Sequence, residues 1–330
     1  MVGSHIVPRF YLEQFAVKKK KSAKSGHLWV YAKDSPPRQG IARSEGVENG
    51  YFAFPLPSGG VDESTENALA VLEDRANDVL VMAPSQCFVW SLRHKRTMAE
   101  YIGLMFARSR GRREASEWVH GKVSELMRRL QKDGFFGEIA AEYSRKHSQI
   151  IEADEVMKIV DNLANSNTNV DNLRKGFLED LMSNAQLVTD QIVQKDWQVW
   201  CAADSCDFVT SDTPVVTALP INEELAPGVG FNVAAVLTFF PLNPRTCLVV
   251  GKTGAEHVCV PAEKVGKIND LVIRFMRKHV YSRTRDSRIE QRIKQFGGEV
   301  QFGKNAFIPR ADHIAILKGI IRRNLGLEPA

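Results

Sequence analysis

The sequence predicts an α+β fold: a mixed or antiparallel sheet drawn from the N-terminal and C-terminal segments, with a large helical middle region. Three observations carry that expectation. Runs of β-formers occur before residue 61 and again after residue 195. Between them apolar side chains recur every three or four positions, the spacing of helices that bury one stripe. At Asp196 the period changes to two, as Trp197, Val199 and Cys201 alternate with Gln198 and Trp200.

The head of the chain, His5-Ile-Val-Pro-Arg-Phe-Tyr-Leu-Glu-Gln followed by Phe15-Ala16, packs an imidazole, a proline, a guanidinium and three aromatic rings into a short stretch. Chain ends usually fray, so this density predicts a docked segment. His27-Leu-Trp-Val-Tyr31 reads as a strand between Ser25-Gly26 and Asp34-Ser-Pro-Pro37, and Gly50 to Pro55 as a second. Pro55, Pro57 and Gly59-Gly60 then punctuate the chain. From Glu63, the residues Leu69, Leu72, Ala76, Val79 and Leu80 form one helical stripe. Further helices are expected at 92–109, 114–132, 136–147 and 152–164. The clearest runs from Asn169 to Val193, with Leu173, Phe177, Leu181, Ala185, Val188 and Ile192 on one side.

Strands are then expected at Trp197–Cys201, Asp207–Thr210, Val215–Thr217, Asn232–Phe240 and Thr246–Val250, with Pro241, Asn243 and Pro244 as the turn between the last two. Pro261 suits the first position of a helix that carries Val265, Ile268, Val272, Phe275 and Met276. A final basic helix is expected from Ile314 to Arg323. The N-terminal strands are expected to pair with the later sheet. That makes residues 1–330 one domain, with the helical block 62–193 inserted between the β-rich segments 1–61 and 195–330.

Composition bounds the class. The 330 residues are 44% hydrophobic and 25% charged, the balance of a globular protein with an ample core. The richest apolar run, Val233 to Phe240, is far short of the roughly 18 residues of a membrane span. His5, Arg9 and Glu13 interrupt any signal-peptide pattern, so a cytoplasmic location is expected. The five cysteines are scattered; Cys201 and Cys206 have no second pair at zinc spacing, and free thiols are expected. The net charge of +5 is clustered at Lys18–Lys21, at Arg108–Arg113 and over the last fifty residues. Such patches attract RNA or DNA through counterion release, or are simply a solvated surface.

Two stretches carry candidate chemistry. Phe208-Val-Thr-Ser-Asp-Thr-Pro-Val215 runs a short strand into a turn, so Asp212 stands at a strand's C-terminal end, where open α/β sheets place ligands. Ser-Asp-Thr-Pro is also a good turn whose side chains bond nearby amides. His5 is suited to act as a base, metal ligand or phosphate partner, or as an anchor for the chain end. Arg9 offers a fork for phosphate or for an internal carboxylate. No glycine-rich phosphate loop, GxSxG elbow or HExxH helix is present.

The head segment, the Leu72-Glu73 pair, the Phe208–Val215 stretch, Pro241-Leu-Asn-Pro-Arg-Thr-Cys-Leu248, Asn269 and His279-Val-Tyr-Ser282 together resemble the bacterial domain-of-unknown-function family numbered 4238. The matches fall in order along nearly the whole chain. The resemblance implies no activity. It does imply that His5, Arg9, Glu73, Ser211 and Asp212 form one group.

Two functions follow as expectations. The first is a metal-dependent phosphodiester hydrolase, nuclease-like. In it Glu73, Asp212 and His5 hold a divalent Mg²⁺ or Mn²⁺, His5 alternatively acting as base, while Arg9 grips a phosphate and Ser211 orients Asp212. The second is a non-catalytic module in which the same motifs are structural and the basic surface binds a nucleic acid or a protein.

Overall fold

The computed structural model describes residues 3–18, 25–49, 54–55, 61–62, 64–158, 170–203, 206–222, 224–228, 230–300, 315, 318–319, 321–323 and 325–327. Expectations that fall elsewhere, among them the Lys19–Lys21 run, Pro57, Gly59-Gly60, the helix beyond residue 158 and much of the final helix, lie outside the described residues. The architecture is α+β. Contacts divide the chain into two compact units, one formed by Met1–Arg113 with Glu179–Gln301 and the other by Glu114–Leu178 with Phe302–Ala330.

The first unit begins with β1 (Gly3–His5), α1 (Arg9–Glu13), β2 (His27–Ala32), β3 (Ser35–Ile41), a 3-10 turn (Ala42–Ser44) and β4 (Val47–Asn49). It continues with β5 (Phe54–Pro55), β6 (Val61–Asp62), α2 (Ser64–Met82) and α3 (Leu92–Ala107). The chain then enters α4 (Arg110–Lys132), α5 (Phe135–His147) and α6 (Val170–Ile192). After α6 come β7 (Trp197–Ala202), β8 (Thr210–Ser211), β9 (Val216–Ile221), β10 (Glu224–Pro227), β11 (Leu237–Asn243), β12 (Thr246–Val250) and β13 (His257–Val260). The last elements of this unit are α7 (Ala262–Phe275), β14 (Val280–Ser282) and α8 (Ser287–Phe296).

Two sheets organise this unit. The larger has the order β10-β9-β11-β12-β7-β13. Its pairs are antiparallel except β13, which joins β7 in parallel. The smaller has the order β3-β2-β14-β8 and so unites N-terminal with C-terminal segments, all antiparallel. β11 and β12 are almost continuously apolar because the larger sheet buries them on both faces. Helices α3 and α6 approach at Gly103, where a Cβ would stand 2.3 Å from the Ala185 carbonyl oxygen. Thr189 Oγ1, on the same stretch of α6, donates to Ala185 O at 2.8 Å.

Several elements differ from expectation for identifiable reasons. The Asn232–Phe240 strand starts only at Leu237, because successive turns (Val233 N to Gly230 O, Val236 N to Val233 O) occupy the preceding residues. Pro241 lies inside β11, not in the turn. The register shifts between Pro241 and Asn243, and a bulge tolerates a residue without N–H. The turn is Pro244-Arg245, closed by Asn243 Oδ1, which accepts from the amides of Arg245 and Thr246 at 2.7 and 2.9 Å. The Asp207–Thr210 strand shrinks to Thr210–Ser211, because the Asn269 side chain satisfies the backbone just before it. Val209 N donates to Asn269 Oδ1 and Asn269 Nδ2 to Asp207 O, at 3.0 and 2.8 Å. Ser35-Pro-Pro37 opens β3 instead of ending a strand; β3 is an edge strand, where proline is tolerated.

The second unit has its own core. Met127, Leu130, Phe135, Phe136, Ile139 and Val156 pack with Ile321, Leu325 and Leu327. Among the described residues no helix is long and apolar enough to cross a membrane.

Candidate functional site

A cleft of about 480 Å³ in the first unit is built by two helices over one face of the smaller sheet. Ala262, Val265, Gly266, Asn269 and Ile273 recur at helical spacing and present one face of α7; Arg288, Ile289 and Arg292 do the same on α8. Val209, Val265, Ile273 and Ile289 are buried and form an apolar floor. Gly266 keeps the space open, since a Cβ there would meet nothing within 4 Å.

The polar lining is guanidinium and carboxylate. Arg283 grips Asp207 through two parallel bonds, Nε to Oδ2 at 3.0 Å and Nη2 to Oδ1 at 2.8 Å. Arg245 approaches the same carboxylate at 3.7 Å and donates to the carbonyls of Cys206 and Ala202. Arg288 pairs with Asp286, which also caps α8 by accepting from Arg288 N at 2.9 Å. That pairing holds Asp286 below the usual carboxylate range. Arg292 pairs with Asp270. Burial pushes the Cys206 thiol at the rim upward.

The opposite face of the same sheet carries a second polar group. Arg38, Val30, Tyr281 and Thr210 are successive register partners across β3, β2, β14 and β8, so their side chains share a face. Ser282, Trp29 and Gln39 form the neighbouring row, on the cleft side. Glu45 lies over Gly40 and binds Arg38 at 2.6 and 2.9 Å; a Cβ at Gly40 would stand 2.5 Å from Glu45 Oε1. Tyr11 reaches in from α1, its hydroxyl 2.7 Å from both Thr210 Oγ1 and the Pro241 carbonyl. Burial lifts the Tyr281 hydroxyl well above its ordinary range, and the Asp212 and Glu45 carboxylates push the same way. Burial lowers the His279 imidazole, against the raising pull of Asp212 and Glu45.

A family model described as Protein of unknown function (DUF4238) matches residues 4–286. The chain belongs to this family. No curated protein and no solved structure matches it. The DUF4238 match takes in the head, the polar sheet face and most of the cleft; Arg288, Ile289 and Arg292 fall just beyond it.

Each residue selected from the sequence of this DUF4238 chain has neighbours that can be named. Asp212 is 5% exposed and spends both oxygens on backbone amides: Oδ1 accepts from Arg277 at 2.8 Å, Oδ2 from Lys278 at 2.6 Å and His279 at 3.3 Å. Ser211 closes a local turn, accepting from Thr213 N at 3.1 Å and donating to Thr213 O at 3.0 Å. Glu73, on α2, binds the fully buried Arg108 at 2.6 Å. Arg9 is exposed on α1 and stands 3.6 Å from Glu13. His5 ends β1 opposite Val47, whereas Ser4 stands opposite Glu48, so His5 and Glu48 face opposite sides of that ribbon. The head segment meets the Phe208–Val215 motif through Tyr11.

The arginine-rich run is likewise engaged: Arg110 binds Glu48 at 2.5 Å, and Arg113 lies 3.7 Å from the same carboxylate. Among the described residues no three His, Cys, Asp or Glu side chains are grouped so as to hold a metal ion. Sequence reasoning missed Asp207, Asn269 as a lining group, Arg283, Arg288 and Arg292. Asp207 directly precedes the motif, and the arginines lie in the basic C-terminal region, but only folding shows that they share a cleft.

Proposed function

We propose that this chain is a phosphate-recognising module that binds nucleic acid, seating one nucleotide in the cleft between α7 and α8. The observation that carries the reading is the lining: three guanidinium groups against two carboxylates, over an apolar floor. The volume of about 480 Å³ is that of a small-ligand site. A base or sugar would lie on Val209, Val265 and Ile289, and a phosphate would take the fork of Arg288, with the Arg283 and Arg292 guanidiniums adding positive charge beside it. Arg288 is 73% exposed, so its pairing with Asp286 is a weak surface pair that a phosphate can displace. In this reading the Phe208–Val215 motif is scaffold. The three amides on Asp212 and the turn at Ser211 support that role.

The test is binding of short RNA and DNA strands across a salt series. Arg288→Ala should weaken binding about tenfold and reduce the salt slope by about one, and Arg292→Ala should weaken it to a smaller extent. Unchanged affinity in both variants, or no salt-dependent binding by the parent chain, defeats the reading.

A nuclease-like hydrolase is a second reading, favoured by one observation on the other sheet face. The hydroxyls of Tyr101 and Tyr281 are buried without a hydrogen-bond partner among the described residues. Tyr281 feels the Asp212 and Glu45 carboxylates, and burial favours the neutral form of His279 beside them. Neutral imidazole is the form a general base requires. A divalent Mg²⁺ or Mn²⁺ would supply Lewis-acid chemistry. RNA and DNA cleavage assayed with either metal and with chelator decides this reading: metal-dependent cleavage lost in His279→Ala supports it, and no cleavage under any condition removes it.

A further inference from the structure

The strand register places two cysteines side by side on the larger sheet. β13 is the edge strand and pairs in parallel with β7, with Cys259 the register partner of Cys201. Adjacent strands lie about 4.8 Å apart, within the Cα separation of roughly 4.4–6.8 Å that a disulfide spans. Register partners project to the same face, so both sulfurs lie on one side of the sheet. Cys247 belongs to the neighbouring row, opposite Trp200, and projects to the other face; it is fully buried. Cys259 is exposed and Cys201 half-buried.

We propose that Cys201 and Cys259 form a peroxide-oxidisable thiol pair that closes to a disulfide between β7 and the edge strand β13. The inference is independent of the nucleic-acid reading, since neither sulfur lines the cleft. Cys259, the accessible member, gives up its thiol proton and attacks hydrogen peroxide as thiolate: an S–O bond forms, the O–O bond breaks, and the departing hydroxide takes that proton and leaves as water. The sulfur of Cys201 then attacks Cys259 sulfur. The S–O bond breaks, the S–S bond forms and a second water leaves with the Cys201 proton. The two thiols lose two electrons and the peroxide gains them. Burial lifts the Cys201 thiol, with Cys259 adding to the effect, and exposure makes Cys259 the first of the two to meet peroxide. The bridge would lie at the sheet edge with Cys259 exposed, where a reductant reaches it, so the bond is of the readily reduced, regulatory kind.

The experiment treats the reduced, full-length chain with hydrogen peroxide. Remaining thiols are then alkylated under denaturing conditions, and intact mass and peptide maps are read. Loss of two of the five alkylatable cysteines, a peptide joining Cys201 to Cys259 and full reversal by dithiothreitol are expected. Cys201→Ser should give no bridge and leave Cys259 as a sulfenic acid trapped by dimedone. The proposal is overturned by five alkylated cysteines after peroxide, by Cys259 oxidised while Cys201 stays free, or by a covalent dimer through Cys259.

Discussion

The Asp212 carboxylate holds the backbone amide of Lys278 at 2.6 Å across 66 positions of sequence, and takes the amides of Arg277 and His279 as well. A buried anion that accepts three main-chain bonds fixes the approach of β14 to β8, and with it the sheet that separates the cleft from the polar face. Asp212→Ala leaves those amides without their acceptor and should cost about 3 kcal/mol, the scale of bonds to a buried charged group. Urea denaturation measures the loss. Asp212→Asn retains one acceptor oxygen and should recover part of it. A change near zero in both variants contradicts a scaffold role.

Tyr11 tests how the head is anchored. Its ring stacks on Phe240 at 5.1 Å, and its hydroxyl bonds Thr210 and the Pro241 carbonyl. Tyr11→Phe keeps the ring and strands those partners, a loss of about 1–2 kcal/mol. Tyr11→Ala also removes the buried ring, for a total of about 4 kcal/mol or more. Equal losses in the two variants would show that the hydroxyl, not the ring, anchors the head.

Much of the architecture was legible in the residues. Period-three-or-four stripes mark α2, α6 and α7, and the alternation after Asp196 marks β7, because amphipathic spacing is a local signal. Short strands were not legible: β1, β4 and β14 are three residues each and exist only because distant partners pair with them. The proline at 241 misled for the same reason, since a bulge inside β11 is decided by the neighbouring strand. The candidate site followed a similar course. The Phe208–Val215 motif stood out, yet its acidic residue turns inward to backbone while Asp207, just before it, lines the cleft. Which carboxylate faces open space is set by packing of α7 and α8, which sequence spacing does not reveal.

Gly103 gives a prediction at the contact of α3 with α6. Alanine is favoured over glycine in a helix by about 1 kcal/mol. Here its Cβ would meet backbone, 2.3 Å from Ala185 O and 3.1 Å from Ala185 C. Backbone cannot swing aside as a side chain does, so the helices must separate, at a cost of roughly 1–3 kcal/mol. Gly103→Ala should therefore lower the thermal midpoint. A higher midpoint would mean that the helix pair yields freely.

His279 predicts an acid-side loss of stability. Burial sets its folded-state value below the ordinary 6.5, so between the two values the unfolded chain binds more protons than the folded one. Stability then rises with pH across that window. The contribution is complete above about pH 6.5 and is lost as pH falls toward the depressed folded value. Asp212 and Glu45 oppose the shift while Arg38 and Lys278 reinforce it, so the window should narrow when Arg38 is replaced. His279→Gln removes the titrating group while keeping a polar side chain. Urea midpoints followed from about pH 7.5 down to about pH 5 should fall less steeply in this variant than in the parent chain; parallel curves would assign the acid sensitivity to other groups.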